Sequence, residues 1–334
     1  MKRGIQEDLR QRFVKAHNAG HCLIAGSRSD SRRLRKACER GDLVSPAKGV
    51  FALPEIWRRF NPQAREWQKL QALAMLHPDW VFSHASAAVI HGLYVSNDKL
   101  GTVHIANERR SHGRSTASVA RHVIEGDVPK RIRYAKATSL MRTAFDCMRT
   151  YDFGNSLAIA DSTLRFGKMT NEKLVSALEK YNVRNRGARN AVDVARLANP
   201  LSENGGESIA RAVMIEEGIK VPELQVLVTG PANPQDPYRV DFFWQLAGRD
   251  VAGELDGRDK YRNPEMTGGR DVVEVLADER LRESRITCAD FKVARFSFSD
   301  LRDSAEFHSL LLSFGIPDGY AVPSVVLRCG VWSG

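Results

Sequence analysis

Asp241 interrupts YRVDFFWQL at residues 238–246, a period-two apolar strand, and an acid inside such a strand constrains the fold more than any other feature of the chain. The next segment, DVAGELDG, is a second strand joined through a tight AGR turn, and Glu254 and Asp256, two apart, project from one face of it. LQVLVTG precedes both as a third strand. Before it, SENGGESIARAVMIEEG is a helix starting after Gly205-Gly206 and ending at Gly218, with Glu207 on its apolar stripe. Burying a carboxylate costs several kcal/mol unless it is paired or bound to metal. Carboxylates converging on one edge of a mixed sheet offer hard oxygen ligands, the donor set for Mg²⁺ or Mn²⁺. VVEVLADERLRESRIT as a helix and KVARFSF as a strand complete the order helix, three strands, helix, strand.

A chain of 334 residues predicts two or three domains, and 43% apolar with 27% charged residues excludes a collagen, a coiled-coil rod or wholesale disorder. The net charge of +10 makes polyanions the first partner class, and it is unevenly placed. Residues 1–60 carry 14 basic and 6 acidic side chains, residues 61–200 carry 21 and 12, and residues 201–334 carry 15 and 22. A basic front and middle with an acidic last section implies two jobs. MKRGIQEDLRQRF has charges where a signal peptide needs an apolar core, and no later segment approaches a membrane span, so the expectation is a cytoplasmic protein with no membrane partner. Five scattered cysteines with no C-x-x-C pair read as reduced thiols in or near cores.

Ile5, Leu9, Phe13 and Ala16 lie at helical spacing, and Asn18-Ala19-Gly20 stops the pattern. HCLIAGSRS, where the middle helix belongs, is short and carries a glycine, so it is either a single turn or the mark of a reduced variant. SRRLRKACERGD is a further helix, capped at Asp30 or Ser31, with Leu34, Ala37 and Cys38 inward and Arg32, Arg33, Lys36 and Arg40 outward. LVSPAKGVFAL is a hairpin with a basic tip at Lys48. This is the order of a winged helix-turn-helix, in which arginines read base edges and a wing lysine contacts phosphate. Arg28, Arg32, Arg33, Lys36, Arg40 and Lys48 are its candidate nucleic-acid-binding residues.

The middle section begins with a helix, QAREWQKLQALAML, a short strand ending at Ser83, and a helix, HASAAVIHGL. His84 and His91 share a face, but a metal pair needs a third ligand, so both read as packed or capping histidines. GTVHIAN and SVARHVI are strands around a basic loop, in which Arg109, Arg110 and Arg114 are candidate phosphate contacts. TSLMRTAFDCMRTY and FGNSLAIADSTLRFG are amphipathic helices, with Arg142 and Asp146 at ion-pair spacing. A further helical run broken at NVRNRGAR ends at Asn199-Pro200, where the charge balance reverses.

RRLRKACERGDLVSPAKGVFAL, VFSHASAAVIHGL and TSLMRTAFDC resemble the AbiEi-type antitoxin proteins of bacterial type IV toxin-antitoxin systems, over about residues 5–165. The resemblance implies an N-terminal winged helix, double-stranded DNA as partner, transcriptional repression and a cognate toxin. S-E-x-x-x-E-S, R-V-D-F-F-W and G-E-L-D-G-x-x-K-Y resemble the Vsr-like branch of PD-(D/E)XK endonucleases, over about residues 202–300. It implies Glu207, Asp241 and Glu254 as metal ligands in a Mg²⁺-dependent catalytic site. Asp256 stands where the usual pattern has lysine, as a further ligand, or with Lys260 folding back in the lysine's place. The expectation is an α/β chain of the α+β multi-domain kind: a winged helix-turn-helix over 1–60, an α+β middle domain over 61–200 and a restriction-endonuclease-like αβββαβ core over 201–334. Endonuclease action on DNA is the leading function, a non-catalytic repressor with a degenerate nuclease fold the alternative, and an RNA-directed nuclease the third.

Overall fold

The computed structural model describes residues 7–107, 115–181, 185–229, 237–256 and 291–333. The chain mixes helices with three sheets among the described residues. It divides into two compact units, Met1–Cys147 and Met148–Gly334. No helix among the described residues is long and apolar enough to cross a membrane.

The first unit opens with α1 (Glu7–Asn18), which buries Leu9, Phe13 and Ala16 as its spacing predicts. Where the sequence leaves open a single helical turn, the chain is extended as β1 (Leu23–Ile24). The apolar run is only a few residues long and ends at Gly26, so it satisfies its backbone by pairing with a strand instead. α2 (Arg28–Glu39) is capped at Ser27 rather than at Asp30 or Ser31. The Asp30 amide donates to Ser27 Oγ, while Asp30 Oδ2 accepts from the Gly26 amide at 3.0 Å, a reciprocal capping arrangement. Leu34 and Ala37 face a core that includes Phe13, Phe51 and Leu53.

β2 (Val44–Ala47) and β3 (Val50–Ala52) form the expected hairpin, in the order β1-β3-β2. Pro46 is tolerated because β2 is an edge strand, where a missing N–H breaks no ladder. Gly49 turns the tip at φ +82°.

α3 (Pro54–Arg59) and α4 (Pro62–Leu76) follow, and the Cys22 amide donates to the Gln68 carbonyl of α4, tying the hairpin region to the rest of the unit. β4 (Val81–Phe82), α5 (His84–His91), β5 (Val103–Asn107), β6 (Val119–Val123), β7 (Lys130–Ile132) and β8 (Ala135–Ala137) complete a five-stranded sheet of order β6-β5-β4-β8-β7. The pairs β5·β6 and β4·β8 are parallel. α6 (Leu140–Met148) carries the expected Arg142–Asp146 ion pair at 2.7 Å.

The second unit begins with α7 (Phe153–Gly167), α8 (Asn171–Glu179) and α9 (Ala188–Arg196), then α10 (Gly205–Glu216). β9 (Glu223–Val228), β10 (Tyr238–Trp244) and β11 (Val251–Asp256) run antiparallel in turn, and β12 (Lys292–Ser297) adds parallel to β11. The sheet order is β12-β11-β10-β9. The helix expected between β11 and β12 lies outside the described residues. α11 (Ser304–Ser313) and α12 (Ser324–Cys329) follow. Phe242, Phe296 and Phe307 of α11 form a buried aromatic column with centroid spacings of 5.6 and 4.9 Å. Gly253 lies under Trp244, where a Cβ would come within 2.8 Å of the indole ring, so only glycine lets β11 run beneath it.

The second unit, from Met148, is held together by its helices, with α7 packed on α10. α7 is buried from Phe153 to Leu164 and built largely of small residues, so α10 approaches closely. Asp161 of α7 accepts both oxygens' worth of hydrogen bonds from Arg211 Nη2, at 2.7 and 2.8 Å, and one from the Asn199 amide at 2.7 Å. Arg211 Nη1 reaches the Leu197 carbonyl at 2.8 Å. Both charges are essentially out of solvent, at 4% and 0% exposed.

Breaking a buried pair leaves an uncompensated charge. Arg211→Ala is therefore expected to destabilise the second unit by about 3–5 kcal/mol, whereas Asp161→Leu with Arg211→Met together lies far closer to wild type. Urea unfolding of the two variants separates these outcomes.

Candidate functional site

The acidic site is built by α10, β10 and β11. Asn204 caps α10 through the Glu207 amide at 3.1 Å, which puts Glu207 in the first turn with its side chain inward, 2% exposed. Its Oε2 accepts from the Glu203 amide at 2.7 Å and from Gln225 Nε2 at 3.1 Å, and its Oε1 accepts from the Asn204 side-chain amide. Burial pushes the Glu207 carboxyl up to about 7. The Glu203 amide and Gln225 pull it back, and the Asp241 and Glu203 charges push it further up.

Asp241 lies half-buried in β10, and its Oδ2 accepts from the Leu255 amide of β11 at 3.1 Å. Continuing the β10·β11 register, in which Phe242 faces Gly253, sets Glu254 across from Asp241. Glu254 pairs with Arg295 of β12 at 3.2 Å. Asp256 is exposed at the end of β11. Lys260 lies outside the described residues.

Glu207 and Asp241 are thus brought within electrostatic reach, Glu254 is engaged by Arg295, and Asp256 stands apart at the strand end; the ligand atoms of the four do not converge as those of a metal-holding group. Two residues of this site were missed in the sequence. Gln225 adopts φ +55° in the middle of β9, at the step of the β9·β10 ladder opposite Asp241, and aims its amide at Glu207. Nothing in ELQVLV marks it. Arg295, in KVARFSF, is a basic residue in an apolar strand; that signal was legible, but its partner 41 residues earlier was not.

The basic site is the outer face of α2. Arg28, Arg32, Arg33, Lys36 and Arg40 are all exposed, as is Lys48 at the hairpin tip. Arg35, also exposed, joins them, and Glu39 is the acid among them. Arg109, Arg110 and Arg114 lie outside the described residues. Asp30 organises the start of the helix: Arg12 of α1 donates to it at 2.6 and 3.2 Å, and Arg33 at 3.3 Å. The Arg12 hydrogen bond above all, with help from the Gly26 amide and the two arginine charges, holds Asp30 down at about 2 despite its partial burial.

A third group was not anticipated. His84 at the start of α5, His104 on β5 and His122 on β6 have ring nitrogens all within 4.8 Å of one another. His91, weighed as the partner of His84, instead points Nε2 at the Thr138 carbonyl at 2.7 Å. Helical spacing drew attention to the wrong pair, since the true neighbours of His84 come from strands distant in sequence.

No family model matches the chain. It is 30% identical over 180 residues to "Uncharacterized protein MT2308" of Mycobacterium tuberculosis (strain CDC 1551 / Oshkosh). The same identity and length hold for "Uncharacterized protein Rv2248" of strain ATCC 25618 / H37Rv. Each alignment covers 51% of this chain and 65% of the relative, so the chain spans less than two thirds of these relatives' length.

Asp30 gives a pH prediction for the α2 region. Its folded value lies below the ordinary 3.8, so its contribution is present above about pH 4 and is lost as pH falls toward about 2. Asp30→Asn should lower stability by about 1 kcal/mol at neutral pH, a value reduced for solvent screening, and the difference from wild type should vanish at the acid end. Thermal melts across that window test it.

Proposed function

We propose that this chain is a double-stranded DNA-binding protein whose second unit hydrolyses phosphodiester bonds with Mg²⁺ or Mn²⁺ held by Glu207, Asp241 and Glu254. The observation that carries the reading is Glu207, a buried carboxylate raised to about 7 beside Asp241. Burial raises the carboxyl first and the Asp241 charge adds to it, a cost that either a proton or a cation relieves. The donor set is all carboxylate oxygen, which suits a hard divalent ion. Supporting it, the order of α10, β9, β10, β11 and β12, with three antiparallel strands and a parallel fourth, is compatible with an αβββαβ nuclease core.

When bound, such an ion lowers the pKa of a coordinated water and polarises the phosphate. The chain's own residues do the positioning. Gln225 and the Glu203 amide orient Glu207, and the Leu255 amide orients Asp241. Arg295, held by Glu254, supplies a positive charge beside the carboxylates in a site whose usual lysine position is Asp256. Asp256 is then a further ligand or a solvent-facing acid, and Lys260 is the remaining candidate cation.

For the first unit, α1, β1, α2 and the β2·β3 hairpin in the order β1-β3-β2 support a reduced winged helix-turn-helix, the middle helix replaced by β1. α2 would lie in the major groove, presenting Arg28, Arg32, Arg33, Lys36 and Arg40, with Lys48 on the backbone. The AbiEi-type and Vsr-like resemblances agree with both halves of this proposal, and the former adds a cognate toxin as a partner.

The second reading, a repressor with an inactive nuclease fold, is favoured by one observation: Glu254 already has a cationic partner in Arg295.

One plasmid-nicking assay separates them. Asp241→Ala should abolish Mg²⁺-dependent nicking while leaving duplex affinity intact, and wild type but not the variant should melt higher with Mg²⁺ or Mn²⁺. Neither cleavage nor a metal-dependent melting shift on DNA or RNA would leave the repressor reading standing. Separately, Arg32→Glu with Lys36→Glu should weaken duplex binding by several kcal/mol at low salt and flatten its salt dependence by about 2 in the log–log slope. Unchanged affinity in a gel-shift titration would take α2 out of the interface.

A further inference from the structure

His84, His104 and His122 arrive from three elements that the backbone fixes against each other. The Ser83 amide donates to the His104 carbonyl at 3.0 Å, and the His104 amide donates to Ser86 Oγ at 2.9 Å. β5 and β6 are paired in parallel, His104 facing Ala120 and Ala106 facing His122. His84 sits at φ +47°, in the left-handed region that side chains other than glycine seldom occupy. The three rings are stacked, His84 on His122 at 3.8 Å and His104 on His122 at 5.2 Å between centroids.

His84 Nδ1 lies 3.3 Å from Ser83 Oγ, while a nitrogen of each of the three rings lies within 4.8 Å of the others. His104 Nδ1 lies 2.9 Å from His122 Nε2. His91 shows the contrasting case of a packed histidine, its ring nitrogen on a carbonyl. Two imidazoles in nitrogen-to-nitrogen contact hold one proton between them at most, and a metal ion is the other species that satisfies both lone pairs. In tetrahedral geometry with bonds of about 2.0–2.1 Å, two ligand nitrogens lie about 3.4 Å apart. The His104–His122 contact is half an ångström or so inside that spacing, and the widest pair of the three closes onto it by at most about 1.5 Å, within the reach of ring rotation.

We propose that His84, His104 and His122 bind a first-row divalent transition cation, Zn²⁺ by preference, as a three-imidazole site with a fourth position open to water. The donor set is nitrogen throughout, with neither carboxylate nor thiolate in the group, which selects against Mg²⁺ and Ca²⁺ and distinguishes this site from the carboxylates of the second unit. The ion would pin β6 to β5 and α5. β6 is the edge strand of its sheet and has no fully buried residue, so it has little apolar burial of its own to hold it.

The test uses the full chain, stripped with chelator, loaded with Zn²⁺ or Co²⁺ and desalted. Wild type should retain about one nitrogen-bound equivalent of Zn²⁺ by elemental analysis, raise its melting temperature on loading, and give the intense visible bands of tetrahedral Co²⁺. His104→Gln with His122→Gln should lose the equivalent and the bands, while Asp241→Ala keeps them, which excludes the carboxylate site as the source. Should the double variant fail to match the circular dichroism of metal-free wild type, His122→Gln on the edge strand decides, with an expected affinity loss of about 100-fold or more. Wild type that retains no metal, or histidine variants that retain as much as wild type, would overturn the site.

Discussion

The second unit depends on one buried charge pair. Arg211 and Asp161 are both out of solvent, and between them they hold α7, α10 and the backbone at Leu197 and Asn199. Glu207 lies one helical turn before Arg211 on α10, at the spacing where an i,i+4 ion pair would form. The arginine goes to Asp161 instead. Its charge is answered by a bidentate carboxylate, while Glu207 is left to neutral donors and a like-charged neighbour, Asp241. The arginine anchors α10 against α7, and the unit keeps a buried carboxyl, raised by that burial, at the start of the same helix.

That arrangement explains why strand and helix order were legible in the sequence and side-chain partnerships were not. YRVDFFW alternates because β10 has a buried face, and short-range alternation is what a sequence displays; β11 instead begins with three buried residues. α10 was equally plain, its Asn204 cap and glycine start being local signals. Partnerships such as Gln225 with Glu207, Arg295 with Glu254 and Asp161 with Arg211 span 18, 41 and 50 residues. No periodicity encodes them.

In the first unit HCLIAGSRS leaves two readings open, a single helical turn or a reduced variant without one. Local physics favours a strand: Leu23 and Ile24 have partners in Phe51 and Val50, and Ser27 supplies an N-cap that starts the next helix three residues later. Starting α2 at Arg28 rather than after Asp30 places Asp30 inside the first turn, where a carboxylate is favoured by the helix dipole and reaches both the Gly26 amide and Arg12. One acid thereby ties α1 to α2 and leaves the arginine-rich face turned outward.

The two units hold opposite solutions to the same problem of grouped titratable side chains. In the second, the acids hold specific partners: amides and a glutamine on Glu207, the Leu255 amide on Asp241 and Arg295 on Glu254. In the first, three imidazoles stack with their nitrogens converging, and the cost of burial falls on the protonated form alone. The histidine group is the one whose ligand atoms have already converged among the described residues, and the carboxylates are the ones engaged by protein partners.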